Sequence, residues 1–193
     1  MRPLLAALPF LVASTAALAE PARYELDPEH TTVSFLVSHV GYAATLGFFT
    51  EVSGGFVYDA ETQELGEVEV RVNLPSLETF NDARDNHVRS GDFLDAEAHP
   101  EMVFTASGGT PTGETTGTVE GELTLRGETR PLTLDVTLNK AEEYPFGHRR
   151  FTLGLTVRGT LNRSDWGMTY GVENGLVGDE VSLIIETEAM RVE

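Results

Sequence analysis

The chain has 193 residues, of which 40% are hydrophobic and 23% charged, and its 31 acidic and 13 basic side chains give a formal net charge of −18. This length is typical of one globular domain. The absence of cysteine excludes disulfides, iron–sulfur clusters and cysteine zinc sites. Because the only lysine is Lys140 and no basic run is present, we expect neither nucleic acid nor an anionic membrane surface as a partner.

Residues 1–19 have the pattern of a secretory signal peptide. Arg2 supplies a positive start, residues 4–18 are almost continuously apolar, and a small-residue cleavage site ends at Ala19. We predict cleavage after Ala19, export to the periplasm, and one mature domain over residues 20–193. An N-terminal membrane anchor is the alternative, but it requires about twenty apolar residues.

The rest of the chain alternates between apolar and polar residues with period two. Between Pro131 and Asn139, for example, four aliphatic residues occupy one face and four polar residues occupy the other. Links rich in Gly, Pro and Asn separate such segments, which is typical of antiparallel hairpins. We therefore predict an all-β fold, closed as a barrel or folded as a sandwich. The predicted strands number about eight and include residues 33–37, 48–58, 68–74, 102–106, 119–125, 131–139, 151–157 and 181–185.

One segment, at about residues 80–90, breaks this alternation. Thr79 with Asp82 three residues later predicts a capped helix start, and Gly91 predicts its end. The sequence therefore predicts a single short helix beside the strands.

Three glycines share the phase of the inward-facing apolar residues. They are Gly54, Gly121 and Gly159. A glycine at such a position either allows a coiled strand to bend or leaves room for a guest molecule, and the sequence leaves both interpretations open.

A few polar residues are candidates for contacts with a ligand. His39 ends an apolar inward stripe, so it either contacts the polar end of a ligand or is a structural histidine bonded to a neighbouring carbonyl. Arg84 and His87 are three residues apart on the predicted helix and can share a face. In one interpretation, these residues and Arg89 on the same helix close the barrel mouth. In the other, Arg84 and Arg89 pair with nearby aspartates on a solvated face.

Arg163, Asp165 and Trp166 lie in the long loop before the last predicted strand. Loops at a barrel rim concentrate binding residues. A ligand contact and a structural Arg–Asp brace with a tryptophan plug are equally compatible with this segment.

The sequence contains no recognisable catalytic or metal motif. Its five histidines show neither an i, i+4 pair on a helix nor an H-x-H pair on a strand, and no G-x-S-x-G or H-E-x-x-H is present. We therefore predict no metal site and no enzymatic activity.

A series of segments, in order from Tyr24 to Glu188, resembles the YceI-like family. The segments include Tyr24–His30 (YELDPEH), Phe35–His39 (FLVSH), Gly54–Phe56, Ser76–Thr79, Arg84–His87, Ser90–Asp95, His99–Pro100, Gly121–Leu132 (GELTLRGETRPL) and Arg163–Gly167 (RSDWG).

This resemblance implies an extended, lipocalin-like antiparallel barrel whose interior tunnel binds a polyisoprenoid or another long amphipathic lipid, such as a prenyl quinone. Members of the family resemble transport, storage or sequestering proteins that need no cofactor besides the bound lipid. Homodimers occur among them, and a membrane that donates or accepts the lipid is an expected transient partner. The expected tunnel wall is formed by Phe35, Val37, His39, Phe48, Val52, Phe56, Phe104, Gly121, Leu123, Leu134, Val136, Phe151, Leu153, Leu183 and Ile185, with Arg84, His87, Arg163 and Trp166 near the head group.

Two alternatives remain at this level. A small outer-membrane barrel also has alternating strands, although it usually ends in an aromatic residue and this chain ends in Glu193. An enzyme acting on a lipid held inside the barrel is the other.

Overall fold

A computed structural model describes residues 21–192, so the predicted signal peptide lies outside the described residues. They form twelve strands, one α-helix and two short 3₁₀ helices. The strands are β1 (Ala22–Leu26), β2 (Thr32–His39), β3 (Ala43–Phe49), β4 (Val52–Tyr58), β5 (Leu65–Asn73), β6 (Leu77–Glu78), β7 (Glu101–Ala106), β8 (Thr110–Pro111), β9 (Thr116–Leu125), β10 (Glu128–Glu143), β11 (Phe151–Asn162) and β12 (Val177–Arg191). The helix α1 spans Asp82–Arg89, and the 3₁₀ helices span Leu74–Ser76 and Arg163–Trp166.

These elements form a closed barrel of eight long strands, which is one of the two forms that the alternation allowed and the one that the family resemblance implied. Three of the long strands are interrupted. The first consists of β1 and β2, the second of β3 and β4, and the third of β5 and β6, because β4 pairs with β1 and β5 while β3 pairs with β2 and β6. The remaining long strands are β7, β9, β10, β11 and β12.

The strands follow one another around the wall in sequence order, and β12 closes it. One edge of β12 pairs with β11 from Thr152↔Met190 to Asn162↔Glu180. Its other edge pairs with both parts of the first long strand, β1 near Ala189 and β2 near Leu183. A closed sheet has no free barrel edge along these strands, which makes the interior a protected compartment.

The two ends of the barrel differ in how they are covered. The upper end carries the turn at residues 40–42, the segment 79–100 with α1, the turn at 126–127 and the loop 163–176. The lower end carries the loops 59–64, 107–115 and 144–150. No helix among residues 21–192 is long and apolar enough to cross a bilayer.

Helix α1 forms where it was predicted, but its N-terminal cap differs. The Asn81 side chain accepts a hydrogen bond from the Arg84 amide at 3.0 Å, so Asn81 is the capping residue and the predicted Thr79 cap is wrong. Thr79 instead bonds to Asp85, a carboxylate that is buried against the barrel. Thr79 and Asp85 thus fix the helix to the strand end that precedes it.

The break between β1 and β2 contains a small polar cluster. The His30 Nδ1 atom lies 2.8 Å from Asp27 Oδ2 and 3.8 Å from Glu188 Oε2. The hydrogen bond to Asp27 raises the pKa of His30 above its ordinary value. Burial opposes ionisation of Asp27, but the bonds from His30 and the Glu29 amide outweigh it and lower the pKa of Asp27. The charged pair therefore stabilises the strand break.

The three inward glycines do not leave empty space. Gly54 has φ +131°, and a Cβ there would lie 2.1 Å from the Glu69 carbonyl oxygen, so the two backbones approach too closely for any side chain. The Phe104 ring covers Gly121, and the Leu134 side chain covers Gly159. Glycine at these positions allows close packing of the coiled wall, the first of the two interpretations.

We predict that Gly121→Ala destabilises the barrel by about 1 to 3 kcal/mol, because its Cβ would lie 2.5 Å from the Phe104 ring and 2.4 Å from the Thr105 carbonyl oxygen. Urea unfolding measures the free energy of unfolding. Gly66→Ala is the matched control, since a Cβ at Gly66 meets no heavy atom closer than 3.9 Å. Equal stability of the two variants would show that the wall relaxes around Gly121.

We also predict that the His30–Asp27 pair makes stability depend on pH in one direction above neutrality. The contribution of His30, whose pKa is raised in the fold, is complete below its unfolded pKa of 6.5 and is lost as the pH rises through the folded value. The contribution of Asp27, whose pKa is lowered, is present above 3.8 and is lost only in stronger acid. The pair therefore stabilises most in the mildly acidic range.

The measurement is the free energy of unfolding of the wild type and of His30→Gln from pH 5 to pH 9. The difference between them should shrink as the pH rises, and it should be small throughout when both chains also carry Asp27→Asn. A pH-independent difference would contradict the role of the charged pair.

Candidate functional site

The barrel interior contains two cavities stacked along its axis. The lower cavity has a volume of about 240 Å³ and the upper cavity, beneath α1, about 330 Å³. Ligand sites for small molecules usually start at about 300 Å³. Aliphatic and aromatic side chains from the long strands line most of the lower cavity, together with several threonines, Gln63 and Glu114, whereas arginine and histidine side chains contribute to the upper cavity.

Fifteen of the predicted site residues lie on the cavity walls. Those on the lower wall are Val52, Phe56, Phe104, Leu123, Leu134, Val136, Leu153 and Ile185, those on the upper wall are Phe35, Val37, His39, Arg84, His87 and Arg163, and Leu183 lines both. Their contact with a ligand stays a prediction.

The other four predicted site residues line neither cavity. Phe48 lies on the outer face, where its ring centroid is 5.5 Å from that of Phe80. The prediction treated residues 48–58 as one strand, but the interruption at Thr50 and Glu51 shifts the alternation by one residue. Phe49 is therefore the buried residue on this side of the break.

The other three, Gly121, Phe151 and Trp166, face inward, but neighbouring side chains pack between them and the cavity space. The Phe104 ring separates Gly121 from the cavity space. Phe151 packs against the cluster at the lower end of the barrel that contains Tyr24 and Phe56, whose rings are stacked. Trp166 is buried in the main core, where its indole Nε1 donates a hydrogen bond to the Leu123 carbonyl at 3.1 Å.

A neck of three residues joins the two cavities. Met102, Leu161 and Leu183 belong to both walls. Met102 and Leu161 were missing from the predicted site, although each continues the alternation of its strand by two residues beyond Phe104 and Gly159. A methionine side chain is flexible, so the neck can adapt to a chain passing between the cavities.

Three aromatic rings from separate segments meet over the upper cavity. The His87 centroid lies 5.1 Å from that of Phe93 and 4.9 Å from that of Tyr170, and the Phe93 and Tyr170 centroids are 5.2 Å apart. The His87 ring also bonds to Asp92 at 3.0 Å. Phe93 and Tyr170 lie in loops without any repeating pattern, so the sequence provided no signal for them.

Arg163 organises the loop that borders the upper cavity. Its guanidinium is buried and donates four hydrogen bonds, at 2.6–3.0 Å, to the carbonyls of Met168, Tyr170, Val177 and Gly178. Burial lowers the pKa of Arg163, and the nearby Asp179 carboxylate partly offsets this effect. The brace is therefore made with backbone carbonyls and not with Asp165, which is exposed.

Arg84 is the more available of the two arginines at this cavity. Its Nε donates to the Thr79 hydroxyl at 2.7 Å, and one terminal nitrogen donates to the Thr79 carbonyl. The predicted pairing of Arg84 or Arg89 with aspartates is absent from residues 21–192, since Arg89 bonds to the Leu77 carbonyl and the Asn86 amide. Arg84 thus retains N–H groups that can donate to a polar group in the cavity.

The cations of the outer surface behave differently. Arg23, Arg71, Arg130, Lys140 and Arg158 are all exposed, and each lies within 4.0 Å of a glutamate. The described arginines at the upper cavity bond instead to neutral oxygens. Of the described carboxylates, Asp179 is the one that partly offsets the burial of the Arg163 charge.

The lower end of the barrel is tied together by neutral contacts. The Gln63 amide donates to the Glu114 carbonyl at 3.0 Å, linking two loops that border the lower cavity. Thr31 and Thr187 satisfy each other across the cavity wall with their hydroxyls 2.7 Å apart. The interior as a whole can therefore accept a long hydrocarbon chain below the neck and a polar group above it.

A group able to ligate a metal occurs at the strand break, and its residues do not belong to the lining of either cavity. One ligand atom each from Asp27, His30 and Glu188 lie within 4.8 Å of one another. The ion pair described above accounts for this arrangement.

Comparisons with known proteins agree with this architecture. The YceI-like domain family matches residues 24–189. A UPF0312 protein of Pectobacterium carotovorum is 32% identical over 187 residues, which cover 97% of this chain and 95% of that protein.

Two solved structures share the fold. Burkholderia cenocepacia BcnA superposes with a TM-score of 0.76 at 22% identity, covering 86% of this chain and 99% of that one. A domain from Saccharophagus degradans, described as polyisoprenoid-binding, gives a TM-score of 0.63 at 17% identity and covers 90% of this chain and 100% of that one. The match of the family over residues 24–189, together with the relative that spans almost the whole chain, confirms the resemblance seen in the sequence, and the chain belongs to the YceI-like family.

Proposed function

We propose that this protein is an exported binding protein that holds a long lipid of the polyisoprenoid class inside its barrel, for transport, storage or sequestration in the periplasm. The observation that supports this most directly is the pair of cavities joined at Met102, Leu161 and Leu183. They offer one mainly apolar path, with its arginines and histidines gathered at the upper end. The polyisoprenoid-binding description of a structural neighbour agrees with this ligand class.

Burial of the hydrocarbon provides the affinity. Each isoprene unit contains five carbons, worth at most about 4 kcal/mol at roughly 0.8 kcal/mol per carbon, before ordering costs that remove much of it. The aliphatic wall contributes no directional bonds, so it sets chain length and width more than chemical identity.

The upper cavity provides a polar contact for the head group. Arg84 has donors to spare, whereas most donors of Arg163 are already bonded to the loop. A carbonyl or amide oxygen on the ligand can accept a hydrogen bond from Arg84, and a neutral head group brings no charge that has to be desolvated. We propose binding and not turnover, because the cavity walls combine hydrocarbon with groups that the fold itself engages.

We predict that affinity rises with prenyl chain length and then levels off once both cavities are filled. Met102→Trp should narrow the neck, so that the affinity levels off at a shorter prenyl chain length, while the affinity for short prenyl chains is retained. Direct binding of a series of prenyl quinones to both proteins measures this. Met190→Trp, placed on β12 next to the buried Ala189 and away from the cavities, is the control for the added indole.

Equal affinities of the wild type for short and long chains would contradict the proposed function, since the apolar interior would then be core packing alone. A shift of the plateau in the Met190→Trp control would show instead that the effect does not come from the neck.

We further predict that a neutral head group binds at least as well as a pyrophosphate on the same prenyl tail. The net charge of −18 disfavours an anion, and the Debye length of about 8 Å at physiological ionic strength leaves carboxylates near the mouth unscreened. The measurement is competition between matched prenyl quinone and prenyl pyrophosphate at low and high salt.

Arg84→Gln and the surface control Arg71→Gln accompany that measurement. We expect Arg84→Gln to weaken the quinone modestly, by loss of a donor, and Arg71→Gln to have no effect. If the pyrophosphate binds clearly better, weakens with salt and loses its advantage in Arg84→Gln, the upper cavity is an anion site and the neutral preference is wrong.

A further inference from the structure

The turn between β2 and β3 exposes apolar side chains beside the opening of the upper cavity. Val40 is 42% exposed and Tyr42 92% exposed, at the tip of the turn. The Val40 amide donates to the Leu176 carbonyl at 2.9 Å, which joins this turn to the loop 163–176. Tyr170 and Leu176 of that loop line the upper cavity and are also more than 40% exposed. We call Val40, Tyr42, Tyr170 and Leu176 the mouth patch.

The conformation of Val40 is costly for a valine. Val40 and Gly41 both have positive φ, +52° and +71°, and the Tyr42 amide bonds to the His39 carbonyl at 3.1 Å. A two-residue hairpin turn of this kind favours Asn, Asp or Gly at its first position. A β-branched residue in the left-handed region is strained, and a large exposed part of Val40 gains nothing from packing. A strained residue whose side chain stays partly exposed points to a function for that side chain at the surface.

The segment around the patch is also free of charge. No Asp, Glu, Lys or Arg occurs among the twenty residues between His30 and Glu51, in a chain that is 23% charged. This segment is the second half of the first long strand, the turn and β3, which form the wall of the upper cavity on that side. Leu46, on the outer face of β3, extends the exposed apolar surface. An acidic protein thus presents, beside its cavity mouth, a turn and two flanking strand segments that carry no carboxylate, although Glu173 lies between Tyr170 and Leu176 in the neighbouring loop.

From these features we infer that the mouth patch docks on a lipid bilayer of neutral or zwitterionic surface, with the upper cavity opening toward the lipid. This inference rests on the proposed function. A long isoprenoid that crossed water would expose its hydrocarbon at a cost that grows with every carbon, so a mouth seated on the bilayer is the low-cost route for transfer. Tyrosine favours the membrane–water interface, where its ring is buried and its hydroxyl stays wet. The absence of a basic cluster excludes attraction to anionic headgroups as the driving force.

The test is flotation of the protein with phosphatidylcholine vesicles. Wild type should bind, and added salt should not weaken the binding. The double variant Val40→Asn, Tyr42→Ser should lose at least about tenfold in affinity for the vesicles, because two interfacial side chains are lost. Neither residue lines a cavity, and Asn suits the backbone of the turn. Phe146→Ser is the matched control, since Phe146 is 66% exposed in the loop 144–150 at the lower end.

Lipid binding is measured separately, with a short prenyl quinone added from detergent. Loss of vesicle binding with unchanged quinone affinity in the double variant supports docking through the mouth patch. Equal vesicle binding by all three proteins, or none by wild type, overturns it and leaves the proposed function intact. A wild type that is dimeric and fails to bind vesicles, with a monomeric double variant, assigns the patch to a second copy and overturns the inference. Failure of every protein to bind quinone would contradict the proposed function while leaving vesicle docking measurable.

Discussion

The interior of this protein depends on the double pairing of β12. One of its edges bonds to β11, and the other bonds to both halves of the interrupted first strand. Without β12, the remaining seven long strands would form an open sheet with two exposed edges and with its apolar face open to water. Closure instead turns an alternating sequence into a compartment, because every inward residue then faces another wall. The Asp27–His30 pair lies at the interruption between β1 and β2, beside Glu188 of β12, and helps to hold it.

The compartment is narrower than its glycines suggest. Phe104 and Leu134 fill the space above Gly121 and Gly159, so the wall is packed tightly where side chains are missing. The open volume lies between the aliphatic side chains of opposite walls and is divided by the neck at Met102, Leu161 and Leu183. Shape for a flexible chain therefore arises from incomplete packing across the barrel axis and not from small residues in the strands.

Charge is distributed so that the two surfaces of the barrel have different roles. Outside, glutamates neutralise the exposed cations in pairs that contribute little to stability individually. At the upper end of the barrel, Arg84, Arg89 and Arg163 donate hydrogen bonds to carbonyls and neutral side chains, which positions α1 and the loop 163–176 over the opening. The uncharged segment, residues 31–50, lies beside the same opening. The elements that cover the upper cavity, its opening and the mouth patch thus lie next to one another in the fold.

The sequence alone determined the class of the fold and most of the inward residues, because the period of two is a property of an extended strand and needs no knowledge of its neighbours. It also placed α1, whose segment breaks that period. Tertiary structure decided the features that depend on pairing. Phe49 and not Phe48 faces inward, because a two-residue interruption matches β3 and β4 to different partners. Arg163 bonds to carbonyls of its own loop and of β12 once that loop folds over the barrel end. Phe93 meets Tyr170 because chain segments distant in sequence converge there. Such contacts have no local pattern, and only closure of the sheet brings them together.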